Sequence, residues 1–216
     1  MGKKRKKRPG KVKQPPQSKQ HGIGRPVPRS ILDKVEQWPY HEVLISKEWD
    51  GELQLVQILA SRRGSGGDLL AGVFLVDLGC LGVKDGMLML LDRGEYRQLV
   101  ETFSEAEELV PCEPDLAAKI LLTALEYADD IGFAPHPDAV EALVVLRGAD
   151  PSAADVEVPV GGEDGKPLYV QGPRDNPQRV LRTLEASVGE GNFDFILAGD
   201  HPEDFVDEDF DEDLEL

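Results

Sequence analysis

Apolar and polar positions recur with two periods along this chain. Residues 69–89, LLAGVFLVDLGCLGVKDGMLM, start as the longest apolar run and then break into Asp77, Gly79, Cys80, Gly82, Lys84 and Asp85. A run of strand formers too short for an ordinary helix predicts a strand buried on both faces. The polar and glycine-rich residues then leave from its C-terminal end. Upstream, residues 41–47 (HEVLISK) and 52–60 (ELQLVQILA) read as two more strands. Asp50-Gly51 marks a hairpin turn between them, and residues 61–67 (SRRGSGG) form a looser turn before the third strand. The expected result is a three-stranded antiparallel meander, with Trp49 lying over its first turn.

Elsewhere the period is that of a helix. Ser30 caps a short helix over 31–37. Asp92 and Glu95 have the spacing of a capping box, and Tyr96, Leu99, Val100 and Phe103 follow as one apolar stripe. Residues 104–114 read as a polar link. The longest helix runs from Pro114 or Asp115 to Ile131, with Leu116, Ile120, Ala124, Tyr127 and Ile131 facing inward and Gly132 just past its end. Asp129 and Asp130 sit in its last turn, where the helix dipole disfavours anions by ~0.3–1 kcal/mol each. They are either solvated carboxylates or part of a site. Residues 133–138 (FAPHPD) place His136 between two prolines, and Asp138 caps a helix over 139–147. Alternation returns at 156–160 and 168–171, predicting a hairpin around 161–166 (GGEDGK). Asn176 caps a further helix with Pro177 at its first position, and residues 192–197 are a last short strand. Elements of one type come in runs, which predicts α+β rather than a doubly wound sheet. The expected fold is a single domain over 30–199: a mainly antiparallel sheet, meander plus hairpin, covered by three to four helices.

Charge changes the picture at the ends. Residues 1–29 hold 11 Lys and Arg and no acid, residues 200–216 hold 10 acids and no Lys or Arg, and 31 acids face 13 bases in between. Both ends have the composition of disordered tails, one basic and one acidic. The compact cluster Lys3, Lys4, Arg5, Lys6, Lys7 and Arg8 suits phosphate contacts with counterion release. It equally suits a solubilising tail, or one resting on the acidic body. An acidic body is a poor nucleic-acid surface. No apolar segment follows the basic start, and no run approaches the ~18 residues a membrane span needs, so a soluble, cytoplasmic protein without a membrane partner is expected. The two cysteines, Cys80 and Cys112, are too few for a disulfide framework and read as free thiols.

Two constellations carry candidate chemistry. In the first, Asp77 and Asp85 are strand-end carboxylates that would suit a Mg²⁺ ion for attack on a phosphate, joined by Asp129 or Asp130. Cys80 beside Lys84 would instead suit a thiolate nucleophile with His136 as base. The plain alternative is a Lys84–Asp pair locking a glycine-rich turn around a small core cysteine. In the second, Asp164-Gly165-Lys166-Pro167 stands with Tyr169, Gly172, Pro173, Arg174 and Asp175, and the last of these lead through Asn176 into a helix N-terminus; Gly172, Arg174 and Asn176 would suit an anion there, or the whole is simply a hairpin turn and a capped helix. The sequence has neither GxxxxGK[ST] nor GxGxxG, so no nucleotide loop and no cofactor are implied.

The segments VDLGCLGVKD, EYADDIGFAPHPD and GKPLYVQGPRDNPQRVLRTLE resemble an uncharacterised family of bacterial proteins, over about residues 42–197. The resemblance carries over no catalytic residue; it implies that the three segments belong to one domain. The functional expectation is a non-catalytic interaction protein, its basic head on nucleic acid or a ribonucleoprotein and its acidic body and tail on protein partners. The alternatives are a metal-dependent hydrolase or nuclease using the strand-end carboxylates, and a cysteine enzyme.

Overall fold

Strands β1 (Tyr40–Ser46), β2 (Leu55–Arg63), β3 (Leu69–Asp77), β4 (Gly82–Leu91) and β5 (Leu109–Pro111) form one antiparallel sheet in the order β4-β3-β2-β1-β5. The structure, a computed structural model, describes residues 24–51, 54–162 and 165–197. The basic cluster Lys3, Lys4, Arg5, Lys6, Lys7 and Arg8 and the acidic segment 200–216 lie outside the described residues. The α+β class holds: α1 (Arg29–Leu32), α2 (Arg93–Ala106), α3 (Pro114–Asp130), α4 (Pro137–Ala142) and α5 (Pro177–Ser187) surround the sheet.

The apolar run at 69–77 is flanked on both sides by neighbours, and only Leu75 of β3 escapes full burial. Alternate residues serve opposite faces, as a pleated strand requires. Val43, Ile45, Ile58, Phe74 and Val76 point to one face, where they share a core with Ile120 and Ala124 of α3 and Ala139 and Ala142 of α4. Leu44, Leu59, Leu69 and Val73 point to the other, against Tyr96 and Leu99 of α2. The meander is therefore covered on both faces.

Several local expectations change. The stretch 69–89 holds two strands, so Lys84 and Asp85 lie in β4 rather than in a glycine-rich turn. The turn itself is residues 78–81. The segment read as a polar link contains β5, which pairs with β1 at the sheet edge. Three residues with no alternation are too short to show a period. The short helix at 31–37 splits into α1 and a 3-10 turn, Val35–Gln37. The capping box of α2 forms as its spacing predicts, with Asp92 accepting from the Glu95 N–H and Glu95 from the Asp92 N–H. The buried face of α3 is Ala117, Ile120, Leu121, Ala124 and Ala128, with Leu116 and Tyr127 at its margin.

The expected hairpin does not form. β6 (Leu168–Val170) pairs instead with β7 (Asp194–Ile196), in parallel, across the intervening α5. Residues 156–160 stay extended but cover the core: Val158 is buried, Val160 packs beside it, and Lys119 of α3 donates to the Ala154 carbonyl at 2.6 Å. Helix packing takes the segment that alternation assigned to a ladder. The body also begins earlier than residue 30. Arg25 exchanges both backbone hydrogen bonds with Leu90 of β4, and its guanidinium meets Asp68 at 2.8 Å.

A residue without any sequence signal holds one corner. Arg62 is buried, and among the described residues no carboxylate lies within 4.0 Å of it. Its guanidinium donates to the carbonyls of Val145 at 2.6 Å, Trp38 at 2.7 Å, Val35 at 3.4 Å and Arg147, and stacks 3.8 Å from the Tyr40 ring. It ties the N-terminal turns to the end of the segment after α4.

Candidate functional site

The β3–β4 turn and the start of α5 meet at one end of the sheet. Asp77, the last residue of β3, folds back over its own turn, where its Oδ1 accepts from the Cys80 N–H at 3.0 Å. The β3–β4 ladder pairs Leu75 with Asp85 and Val76 with Val83, so Lys84 is the extra residue of a β-bulge. A bulge re-aims a side chain, and Lys84 turns in toward Asp77. Its Nζ lies 2.8 Å from Asp175 Oδ2 and 3.9 Å from Asp77 Oδ2. The Gly172 N–H donates to that same Asp175 oxygen at 2.8 Å. A side chain on Gly172 would come within 3.1 Å of both Asp175 Oδ2 and Lys84 Nζ, which accounts for glycine there.

Burial decides the electrostatics. It pushes the Asp77 carboxyl up to about 6, against the opposing pull of Lys84 and of the turn N–H groups. The Cys80 thiol is fully buried; burial, and after it the charge of Asp77, push it up to about 12. Reactive cysteines have depressed values in electropositive, accessible surroundings, and Cys80 has the reverse. Its surroundings are Ile131, Tyr169, Val180 and Leu184, a small apolar cluster under α5. The Lys84–Asp lock on a turn with a core cysteine is thus present in the structure.

The other sequence candidates divide between this end and the surface. A cleft of about 520 Å³ is lined by Lys84, His136, Arg174, Asp175, Asn176 and Arg179, among others. It joins residues from both constellations, which the sequence kept apart. His136 caps α4, its Nδ1 accepting from the Asp138 N–H at 3.3 Å. Asn176 caps α5, accepting from the Arg179 N–H at 3.1 Å. Asp85 is exposed; its carboxylate accepts from the Gly86 N–H at 2.8 Å and lies 3.9 Å from Arg174. Asp129 and Asp130 are exposed on α3. Among the described residues, no three His, Cys, Asp or Glu side chains are grouped to hold a metal ion.

Two of the cleft's cations face carboxylates, Lys84 with Asp175 at 2.8 Å and Arg174 with Asp85 at 3.9 Å; Arg179 has no carboxylate within 4.0 Å among the described residues. The paired charges weaken the cleft's pull on an outside anion. Comparison with protein-family models, with curated proteins and with solved structures finds no match to this chain.

Sequence reasoning missed Asp175 as the partner of Lys84, since 91 residues separate the two and no local pattern spans that gap. It also missed the hydroxyl of Tyr127, which is buried without a hydrogen-bond partner among the described residues; Tyr127 reads as an apolar stripe residue.

Proposed function

We propose that this chain is a cytoplasmic binding protein without a catalytic step, held on nucleic acid or a ribonucleoprotein by its basic N-terminal segment. The acidic body and C-terminal segment meet protein partners. The observation that carries this reading is the charge segregation: 11 bases and no acid in residues 1–29, against 31 acids and 13 bases in residues 30–199. Lys and Arg in an unbroken cluster neutralise successive phosphates, while a negative body repels the same backbone. The non-catalytic half is supported by the state of the best reactive candidates. Cys80 is sealed and held neutral, and Asp77 and Lys84 are committed to the turn. No helix among the described residues is long and apolar enough to cross a membrane.

Replacing Lys3, Lys4, Arg5, Lys6, Lys7 and Arg8 together by Gln in the full chain tests it. Retention on single-stranded nucleic acid is expected to fall, and the slope of log K against log salt to flatten by about 4, at ~0.7 for each phosphate no longer neutralised. An unchanged, salt-insensitive affinity refutes the reading.

A further inference from the structure

A second pocket, on the opposite face of the sheet from α3, gathers three arginines, none of them paired with a carboxylate among the described residues. It is an open pocket of about 400 Å³ lined by the exposed Arg63, Arg93 and Arg97 with His41, Glu42 and Tyr96, and with Leu69 and Val100 as its apolar wall. Arg63 ends β2. Arg93 and Arg97 are one helical turn apart on α2, so they share a face. Tyr96 forms the floor: its hydroxyl donates to Glu42 Oε2 at 2.7 Å and receives the Ser61 hydroxyl at 3.0 Å. The exposed His41 ring meets the Tyr96 ring edge-on at 5.5 Å.

The pocket gathers three guanidiniums without carboxylate partners. Arg25, Lys47, Lys84 and Arg174 each face a carboxylate, whereas Arg62, Arg147, Arg179 and Arg182, like these three, face none within 4.0 Å among the described residues. None of Arg63, Arg93 and Arg97 comes within 4.0 Å of a carboxylate oxygen among the described residues. With 31 acids to 13 bases in residues 30–199, partners are plentiful, yet three cations converge on one pocket and repel one another. The one carboxylate lining the pocket, Glu42, is held by Tyr96. Three positive charges against one negative leave an excess of two.

We propose that this pocket binds a phosphate monoester on a small molecule. A dianion matches the excess charge. Its tetrahedral oxygens receive planar guanidinium forks from several directions, a geometry that favours arginine over lysine. The pocket is large enough to hold an organic group beside the phosphate, and Leu69, Val100 and the rings of Tyr96 and His41 are the surfaces for it to lie on. The site is independent of the N-terminal segment and stands whether or not that segment contacts nucleic acid.

Titration calorimetry of the full-length protein with phenyl phosphate tests the proposal. The head is the same in every variant, so differences between variants report on the pocket. Binding in the millimolar range or tighter is expected, with inorganic phosphate competing. Each of Arg93→Gln, Arg97→Gln and Arg63→Gln is expected to weaken it roughly tenfold or more, the effect of losing a hydrogen bond to a charged group. Arg182→Gln, in a different pocket, is expected to leave it unchanged. Absence of binding in the wild type overturns the proposal, as does equal weakening by Arg182→Gln. A readout without substitutions guards against misfolded variants. Phenyl phosphate should protect Arg93 and Arg97, but not Arg182, from phenylglyoxal as mapped by mass spectrometry; uniform or absent protection refutes the site.

Discussion

Asp77→Asn isolates the consequence of placing a carboxylate inside this fold. Asn keeps a carbonyl oxygen where Asp77 Oδ1 accepts from the Cys80 N–H at 3.0 Å. Lys84 keeps Asp175 at 2.8 Å. What disappears is the charge, which burial disfavours enough to push the carboxyl from 3.8 to about 6. At ~1.4 kcal/mol per pH unit, that displacement is worth about 3 kcal/mol between protonated and ionised forms. The folded state binds the proton more tightly than the unfolded chain. Asp77 therefore favours folding fully below its unfolded value, and this contribution is lost as pH rises through about 6. Urea unfolding, followed by the fluorescence of Trp38 and Trp49, would measure both proteins between pH 4 and pH 8. The stability of Asp77→Asn relative to wild type is expected to climb by up to about 3 kcal/mol across that range, steepest near ~1.4 kcal/mol per pH unit. Taking the difference cancels titrations that both proteins share. A difference flat to within ~0.5 kcal/mol, or one that falls with pH, would show that Lys84 and the turn N–H groups outweigh desolvation.

Three further outcomes follow from the packing. Cys80 in the folded protein should resist iodoacetamide at neutral pH and react only after unfolding, because its thiol is buried and pushed up to about 12; rapid labelling of the native protein by mass spectrometry would contradict the burial. Arg62→Lys should cost on the order of 3 kcal/mol in urea unfolding, since one ammonium cannot reach the separate carbonyls that the guanidinium joins; a loss under ~1 kcal/mol would mean that those hydrogen bonds contribute little. Gly86→Ala should destabilise by about 1–3 kcal/mol, because the new methyl would run into the Ala139 Cα, a backbone atom of α4; an unchanged midpoint would show that α4 can move away from β4.

Local pattern carried much of the fold. The apolar run at 69–77, the capping box at Asp92 and Glu95, and the Asn176-Pro177 start of α5 each act within a few residues, and each formed as the spacing requires. The candidate site was legible only in pieces. Lys84, His136, Arg174 and Asn176 stood out as residue types, but nothing along the chain showed that they line one cleft. The tertiary structure also replaced the expected hairpin with a parallel pair across α5, because residues 156–160 cover the core beside α3 instead of pairing. Arg62 and the three arginines of the second pocket gave no signal, and Asp175 gave none that tied it to Lys84, since their meaning depends on groups brought near from distant elements.

Sequence alone determined which segments are greasy enough to be buried, where helices begin, and how charge is divided between the ends and the body. Those properties arise from neighbours within a turn or a strand. Only the tertiary structure decided which charges are paired and which stand alone. Coulomb attraction and desolvation act through space: the bulge at Lys84 set its ammonium against Asp175, and the packing of α2 on the sheet set Arg93 and Arg97 beside Arg63 at the end of β2.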